Sequence, residues 1–232
     1  MKEAVCLISG GLDSCVTAHI AKNKNYDIYA LSFNYGQRHK KEIQCAKTIA
    51  NSVNSKRHII FDLDLEKFGG SSLVDKSQSL EKDHSLDEIG KTIPSTYVPA
   101  RNTVFLSIAL AFAETIDADA IFIGATATDY SGYPDCRPEY IEAFQKMANL
   151  ATKKGVEGKT IEIKVPLLHM SKAEIIKEGI KIEAPLEKTW SCYAGETKAC
   201  GKCDSCLLRL KGFKEANIKD PVKYESLPDW YN

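Results

Sequence analysis

The sequence predicts an α/β protein with a doubly wound, mainly parallel sheet, followed by a C-terminal segment that gathers four cysteines. Three observations carry this prediction. Short apolar runs alternate with helix-length segments from residue 4 to about residue 185. A turn rich in glycine and hydroxyls, "SGGLDS" (9–14), follows the first of these runs. Near the other end, "SCYAGETKACGKCDSC" (191–206) spaces its cysteines as C-x7-C-x2-C-x2-C. Strand–helix alternation of this kind buries a parallel sheet under helices on both faces.

The elements follow in order. "AVCLIS" (4–9) is an apolar run of strand formers, and 13–22 after it has helical length. "DIYALSF" (27–33) is the second strand. Over 39–53, Ile43, Ala46, Ala50 and Val53 recur at spacings of three and four, one face of a helix. "RHIIFDL" (57–63) is the third strand. Residues 64–100 show little periodicity and read as a long loop, functional or mobile. "NTVFLSIALAFAETI" (102–116) is apolar nearly all round, which predicts a buried helix. "ADAIFIGA" (118–125) is the fourth strand. Tyr140, Ile141, Phe144, Met147, Ala148 and Ala151 mark a helix over 138–154. "IEIKVP" (161–166) is the fifth strand, stopped by Pro166. "SKAE" (171–174) has capping-box spacing, and Gly179 is placed to end the helix it opens. The expected organisation is one α/β domain over 1–185, with a cysteine-rich segment over 186–232 packed on it.

Composition narrows the functional classes. Of 232 residues 44% are hydrophobic, enough for a substantial core, and 31 basic residues balance 31 acidic ones. Such balance does not mark the chain as a nucleic-acid or membrane-surface binder. No apolar run approaches the roughly 20 residues that span a bilayer. The expectation is a soluble, cytoplasmic protein without a membrane partner. In a reducing compartment its eight cysteines more often bind metal than pair as disulfides.

In a doubly wound sheet the first strand–helix turn is the usual phosphate site. Glycines let the backbone approach an anion, helix N–H groups bind the charge, and Ser9 and Ser14 can add hydroxyl donors. Asp13 is the odd member, because a carboxylate repels phosphate. It makes sense if Asp13 holds Mg²⁺ or receives a bond from the loop. The turn lacks the lysine of a Walker A loop, the third glycine of G-x-G-x-x-G and the pattern G-x-S-x-G. A plain glycine-rich turn with Asp13 as helix N-cap is the alternative.

Cys192, Cys200, Cys203 and Cys206 can converge on one tetrahedral ion, since each two-residue gap permits a tight turn between successive sulfurs. Four thiolates suit structural zinc, and an iron–sulfur cluster is the rival. A redox pair at Cys203 and Cys206 would leave the other two unexplained. Cys6 and Cys45 read as core, and Cys15 as packed behind the loop. Polar residues also gather where strands end. "FNYGQRHKKE" (33–42) brings Tyr35, Gln37, Arg38 and His39 beside the loop. "YVPARNT" (97–103) puts Arg101 and Asn102 at a helix start. "GATATDYSGYPDCRPEY" (124–140) offers Asp129, Ser131, Tyr133, Asp135 and Arg137.

"SGGLDS" after a strand resembles the PP-loop of the ATP pyrophosphatases, which are adenine nucleotide alpha hydrolase-like in fold. Taken in order, "SGGLDS", "FNYGQRHKKE", "VPARNT", "GATATDYSGYPDCRPEY", "KVPLLHMSKAEI" and "TWSCY…CGKCDSC" resemble the 7-cyano-7-deazaguanine synthase family, from Val5 to about Phe213. The resemblance implies ATP-dependent conversion of 7-carboxy-7-deazaguanine and ammonia to a nitrile through adenylated intermediates, with AMP and pyrophosphate as products. It implies a C–N ligase of queuosine biosynthesis, a homodimer, and small-molecule substrates without direct nucleic-acid contact. The implied nucleotide segment is Ile8, Ser9, Gly10, Gly11, Leu12, Asp13, Ser14, Cys15, Val16, Thr17 and Ala18. Cys15 and Val16 stand where the family often carries threonine. Asp13, near the Mg²⁺ of Mg-ATP, and Arg101, at the phosphates, are the catalytic candidates. Asp129, Tyr133, Asp135 and Arg137 are candidates for reading the deazapurine, with Arg38 and His39 at its rim. One zinc per chain falls to the four clustered cysteines. A PP-loop tRNA thiolase, with Cys136 as its reactive thiol, and a nucleotide sensor without catalysis are the rival readings.

Overall fold

The computed structural model describes residues 2–37, 41–75, 77–80, 82, 84–86, 88–89, 92–127 and 133–231. Five strands form one sheet: β1 (Lys2–Leu7), β2 (Tyr26–Asn34), β3 (Arg57–Asp62), β4 (Ala120–Phe122) and β5 (Glu162–Lys164). Their spatial order is β3-β2-β1-β4-β5, and every pairing is parallel. The chain runs outward from β1 to β3 and then returns to the other side of β1 as β4. The switch point therefore lies between β1 and β4, where a doubly wound sheet binds its ligand beyond the carboxyl ends of the strands.

The helices are α1 (Leu12–Asn23), α2 (Lys41–Ser52), α3 (Arg101–Thr115), α4 (Pro138–Ala151), the short α5 (Lys153–Val156), α6 (Lys172–Lys181) and α7 (Asp204–Glu215). Alternation along the central strands divides the core into two layers. Ala4, Cys6, Ile8, Ala120 and Phe122 face α1, α2 and α6, together with Phe213 of α7. Val5, Leu7, Ile121 and Ile123 face α3 and α4. Because β1 is covered on both faces, its run has no polar alternation. Gly124 follows β4, where a Cβ would stand 2.9 Å from the Asp13 carbonyl carbon, so its missing side chain lets α1 begin against the sheet edge.

Three expectations are corrected by packing. Gly179 does not end its helix: α6 continues to Lys181, and Gly179 sits where a Cβ would meet Val16 and Leu186 at 2.9 and 3.0 Å. The Ser171–Glu174 capping box is present as expected. The helix over 102–116 is not buried all round, since Ser107, Ala111 and Glu114 are exposed and one face meets the sheet. Cys45 is half-buried beside the clustered cysteines and not in the main core. The described part of 64–100 contributes Leu65, Leu73, Val74 and Val98 to the core layer under α3.

Residues after 185 join the same interior. Phe213 and Ala216 lie in one buried cluster with Ile8 and Val16. Arg209, 3% exposed, bonds both carboxylate oxygens of Asp220 at 2.7 and 3.0 Å and donates to Thr189 Oγ1 at 2.7 Å. A buried guanidinium is tolerated because its donors are matched in this way.

Candidate active site

At the switch point the phosphate-loop candidate is shaped by its own hydroxyls. The Ser9 N–H and Ser9 hydroxyl both donate to Ser14 Oγ, at 3.2 and 3.1 Å. Ser14 Oγ in turn donates to the Gly11 carbonyl at 3.0 Å. The serine hydroxyls thus hold the loop rather than point free donors at a ligand. Gly10 has φ +92°, a left-handed conformation that glycine adopts without strain. A Cβ there would also lie 2.2 Å from the Glu42 carbonyl oxygen. Gly11 is the N-cap of α1 with no side-chain cap. Asp13 is therefore inside the helix and not its cap. Among the described residues the first N–H groups of α1 have neither an intrahelical nor a side-chain acceptor, so with the positive end of the helix dipole they could receive an anion.

The loop floors a cavity of about 310 Å³. Ile8, Ser9, Gly11, Leu12, Asp13 and Ser14 line it, whereas Cys15, Val16, Thr17 and Ala18 are buried in the core behind. Arg101 also lines the cavity and donates to Tyr35 OH at 3.3 Å. It is presented there by a tied helix start. Asp135 accepts the Asn102 N–H at 2.9 Å, and Asn102 Nδ2 donates to the Asp135 carbonyl at 3.1 Å. Asp135 is thus a buried anchor of α3 that does not line the cavity, and Arg137 is exposed outside it. Tyr133 does line the cavity, stacked on Tyr97 with ring centroids 5.6 Å apart. Arg38, His39, Asp129 and Ser131 lie outside the described residues.

Several cavity residues are not among those the sequence motifs single out. Lys172, at the start of α6, lines the cavity and donates to both carboxylate oxygens of Asp13 at 2.7 and 2.8 Å. The sequence does carry a signal for it, because the helix after the fifth strand starts at the ligand edge of the sheet. Glu42 also lines the cavity, in the first turn of α2. Burial pushes its carboxyl up to about 7, opposed by the Arg101 charge and reinforced by the Cys192 thiolate. Trp190 and Tyr193 enter from the C-terminal segment, and the Trp190 N–H bonds the Gly10 carbonyl at 2.9 Å. Cys136 lines the cavity too, but burial, reinforced by Asp135, raises its thiol to about 12.

Beside this wall the Sγ atoms of Cys192, Cys200, Cys203 and Cys206 all lie within 4.8 Å of one another, and all four residues are buried. Cys200 and Cys206 sulfurs are 3.9 Å apart. Four thiolates at about 2.3 Å from one tetrahedral ion stand about 3.8 Å apart, so the donor set fits a metal and no ligand position is left open. The N–H groups of Gly195 and Cys200 donate to Cys192 Sγ at 3.0 and 3.2 Å, which stabilises a thiolate.

A family model described as "Queuosine biosynthesis protein QueC" matches residues 3–217. The chain is 57% identical over 226 residues to 7-cyano-7-deazaguanine synthase of Coxiella burnetii, covering 97% of this chain and 98% of that protein. It is 51% identical over 231 residues to the protein of that name from Thermoplasma volcanium, covering 100% and 94%. A solved NMN synthetase from Francisella tularensis is similar over 94% of this chain and 78% of that one, at 15% identity and a TM-score of 0.47. With the family model spanning most of the chain and relatives above half identity over nearly all of it, this protein belongs to the QueC family of queuosine biosynthesis proteins.

Proposed function

We propose that the protein is an ATP-dependent C–N ligase that converts 7-carboxy-7-deazaguanine and ammonia into 7-cyano-7-deazaguanine. The observation that carries the reading is the meeting of uncapped α1 N–H groups, Arg101 and Lys172 around one cavity, in a chain of this family. Carboxylate and amide oxygens are poor leaving groups, and adenylation converts each into AMP. The substrate carboxylate attacks the α-phosphorus of ATP and pyrophosphate leaves. Ammonia then displaces AMP to give the amide. A second ATP activates the amide oxygen, whose loss as AMP leaves the nitrile.

In this scheme the loop and α1 hold pyrophosphate, and Arg101 and Lys172 stabilise charge as it builds on the phosphates. Asp13 positions Lys172 until Mg-ATP enters and then faces the cation. Tyr133 and Tyr193 supply flat surfaces for the base, with Asp129 the candidate acceptor for its N–H pair and Arg38 and His39 at the rim. Cys192, Cys200, Cys203 and Cys206 hold one zinc ion, which supplies cross-linking rather than chemistry. Their close sulfurs support a single ion over an iron–sulfur cluster, whose thiolates stand further apart around it. The enzyme is read as a cytoplasmic homodimer, consistent with the exposed Leu150 and Val156 on and beside α4.

The test is one reaction followed by mass spectrometry, with purified protein, Mg-ATP, ammonium and 7-carboxy-7-deazaguanine. Nitrile appearing with AMP and pyrophosphate is expected. AMP without a change in the base would move the substrate elsewhere, and ADP or no turnover would overturn the adenylation reading.

A further inference from the structure

The cavity wall holds three carboxylates among the described residues, and two of them are engaged. Asp13 receives Lys172, and Asp204 receives His84 Nδ1 at 2.9 Å. The Glu42 carboxylate makes no hydrogen bond or ion pair with any described residue, although the residue lines the cavity. An unmatched, half-buried carboxylate facing a ligand-sized cavity has no packing rationale. Its placement is nonetheless tightly determined. The Glu42 carbonyl oxygen occupies the space a Cβ on Gly10 would need, so the first turn of α2 is seated directly on the phosphate loop. The charged or titratable groups acting on it are Arg101 from α3, Tyr35 just after β2, Cys192 and Tyr193 from the C-terminal segment, and Cys45 on its own helix. Lys41, the preceding residue, is turned away over the Trp190 ring, its Nζ 3.3 Å from the centroid.

The reaction proposed above needs a group of this kind. Ammonium, the dominant form at neutral pH, must lose a proton before its nitrogen can attack the acyl adenylate. After attack, the adduct loses a second N–H proton as the C–O bond to AMP breaks. In the second half, the amide NH₂ loses both protons while the C–O bond to AMP breaks and the C≡N bond forms. Every one of these steps takes a proton from the same nitrogen, and no phosphate-binding cation can accept it.

We propose that Glu42 receives ammonium in the cavity and is the catalytic base that takes the nitrogen's protons in both halves of the reaction, releasing them to water between steps. The inference rests on the proposed adenylation reading. The rings of Tyr35 and Tyr193, which also line the cavity, suit an ammonium ion beside the carboxylate. Burial holds the carboxyl near neutrality, where a base is most effective.

The experiment compares wild type, Glu42→Gln and Glu42→Asp in two assays. The first is exchange of labelled pyrophosphate into ATP with 7-carboxy-7-deazaguanine and no ammonium. The second is amide and nitrile formation across an ammonium chloride series. Glu42→Gln is expected to keep exchange within about threefold of wild type, which also shows that it folds. Its amide and nitrile formation should fall by about 100-fold or more, with partial recovery in Glu42→Asp. Nitrile formation within threefold of wild type in Glu42→Gln overturns the role while leaving adenylation intact. Loss of exchange and nitrile together in Glu42→Gln also overturns it, by making Glu42 a part of the nucleotide site. Absence of exchange in wild type removes the adenylation reading and this inference with it.

Discussion

Lys172 Nζ lies 2.7 and 2.8 Å from the two carboxylate oxygens of Asp13, joining the first strand–helix turn to the start of α6 across 159 positions of chain. The pair is partly exposed, at 17% and 30% of the side chains. Its contribution to folding is correspondingly modest, about 1 kcal/mol. In the proposed scheme its larger effect is to hold an ammonium group beside the phosphates. Lys172→Met is expected to lower ATP–pyrophosphate exchange about 100-fold, the effect of removing one donor from developing charge. Exchange at the wild-type rate would remove Lys172 from the phosphate site.

Metal loss is expected to reach the nucleotide site through Trp190. That residue donates its N–H to the Gly10 carbonyl, and its Nε1 donates to the Cys192 carbonyl at 3.1 Å. Cys203→Ser should lose its bound metal and at least about 3 kcal/mol of stability, or roughly 6–12 °C in Tm. Metal analysis, calorimetry and ATP binding on the same preparation check this, with weaker ATP binding expected. A Cys203 variant that is metal-free, as stable as wild type and inactive would contradict a structural metal.

The thiolase alternative requires a reactive thiol near the loop, and the structure buries the candidates. Burial pushes Cys15 and Cys136 up to about 12, and Cys6 higher still. Thiolates are the reactive species. Iodoacetamide at pH 8 should therefore leave these three cysteines unmodified in the metal-loaded protein and label them after unfolding. Fast labelling of Cys136 in the folded protein, read by peptide mass mapping, would revive that alternative.

Glu42 also makes a prediction about stability. Burial, partly offset by Arg101, raises its carboxyl from 4.5 to about 7 in the folded chain. Between those values the folded state holds a proton that the unfolded state has released. Stability from this group is complete below pH 4.5 and is lost as pH rises through 7. The shift corresponds to about 3 kcal/mol. Glu42→Gln, which mimics the neutral acid, should melt above wild type at pH 8.5 by roughly 6–12 °C, with the gap closing toward pH 5. Equal melting temperatures at both pH values would show a solvated carboxylate.

Features determined over short stretches of chain are legible in the sequence by itself. Alternating apolar runs, the glycine-rich turn of "SGGLDS", the capping box at Ser171 and the C-x2-C turns depend on neighbours within a few residues. Each therefore appears as a spacing. A parallel sheet, a site at its first strand–helix turn and the gathering of four cysteines follow from them. What only the tertiary structure decided are pairings between distant positions: Asp13 with Lys172, Gly10 with Glu42 and with Trp190, and Arg209 with Asp220. Asp135 shows why such choices escape a linear reading. Its carboxylate is chemically suited to a guanine-like edge, yet the α3 N-terminus offers an Asn102 N–H without an intrahelical acceptor. Packing of α3 against the loop before α4 satisfies that N–H with Asp135 and presents Arg101, the residue before Asn102, to the cavity.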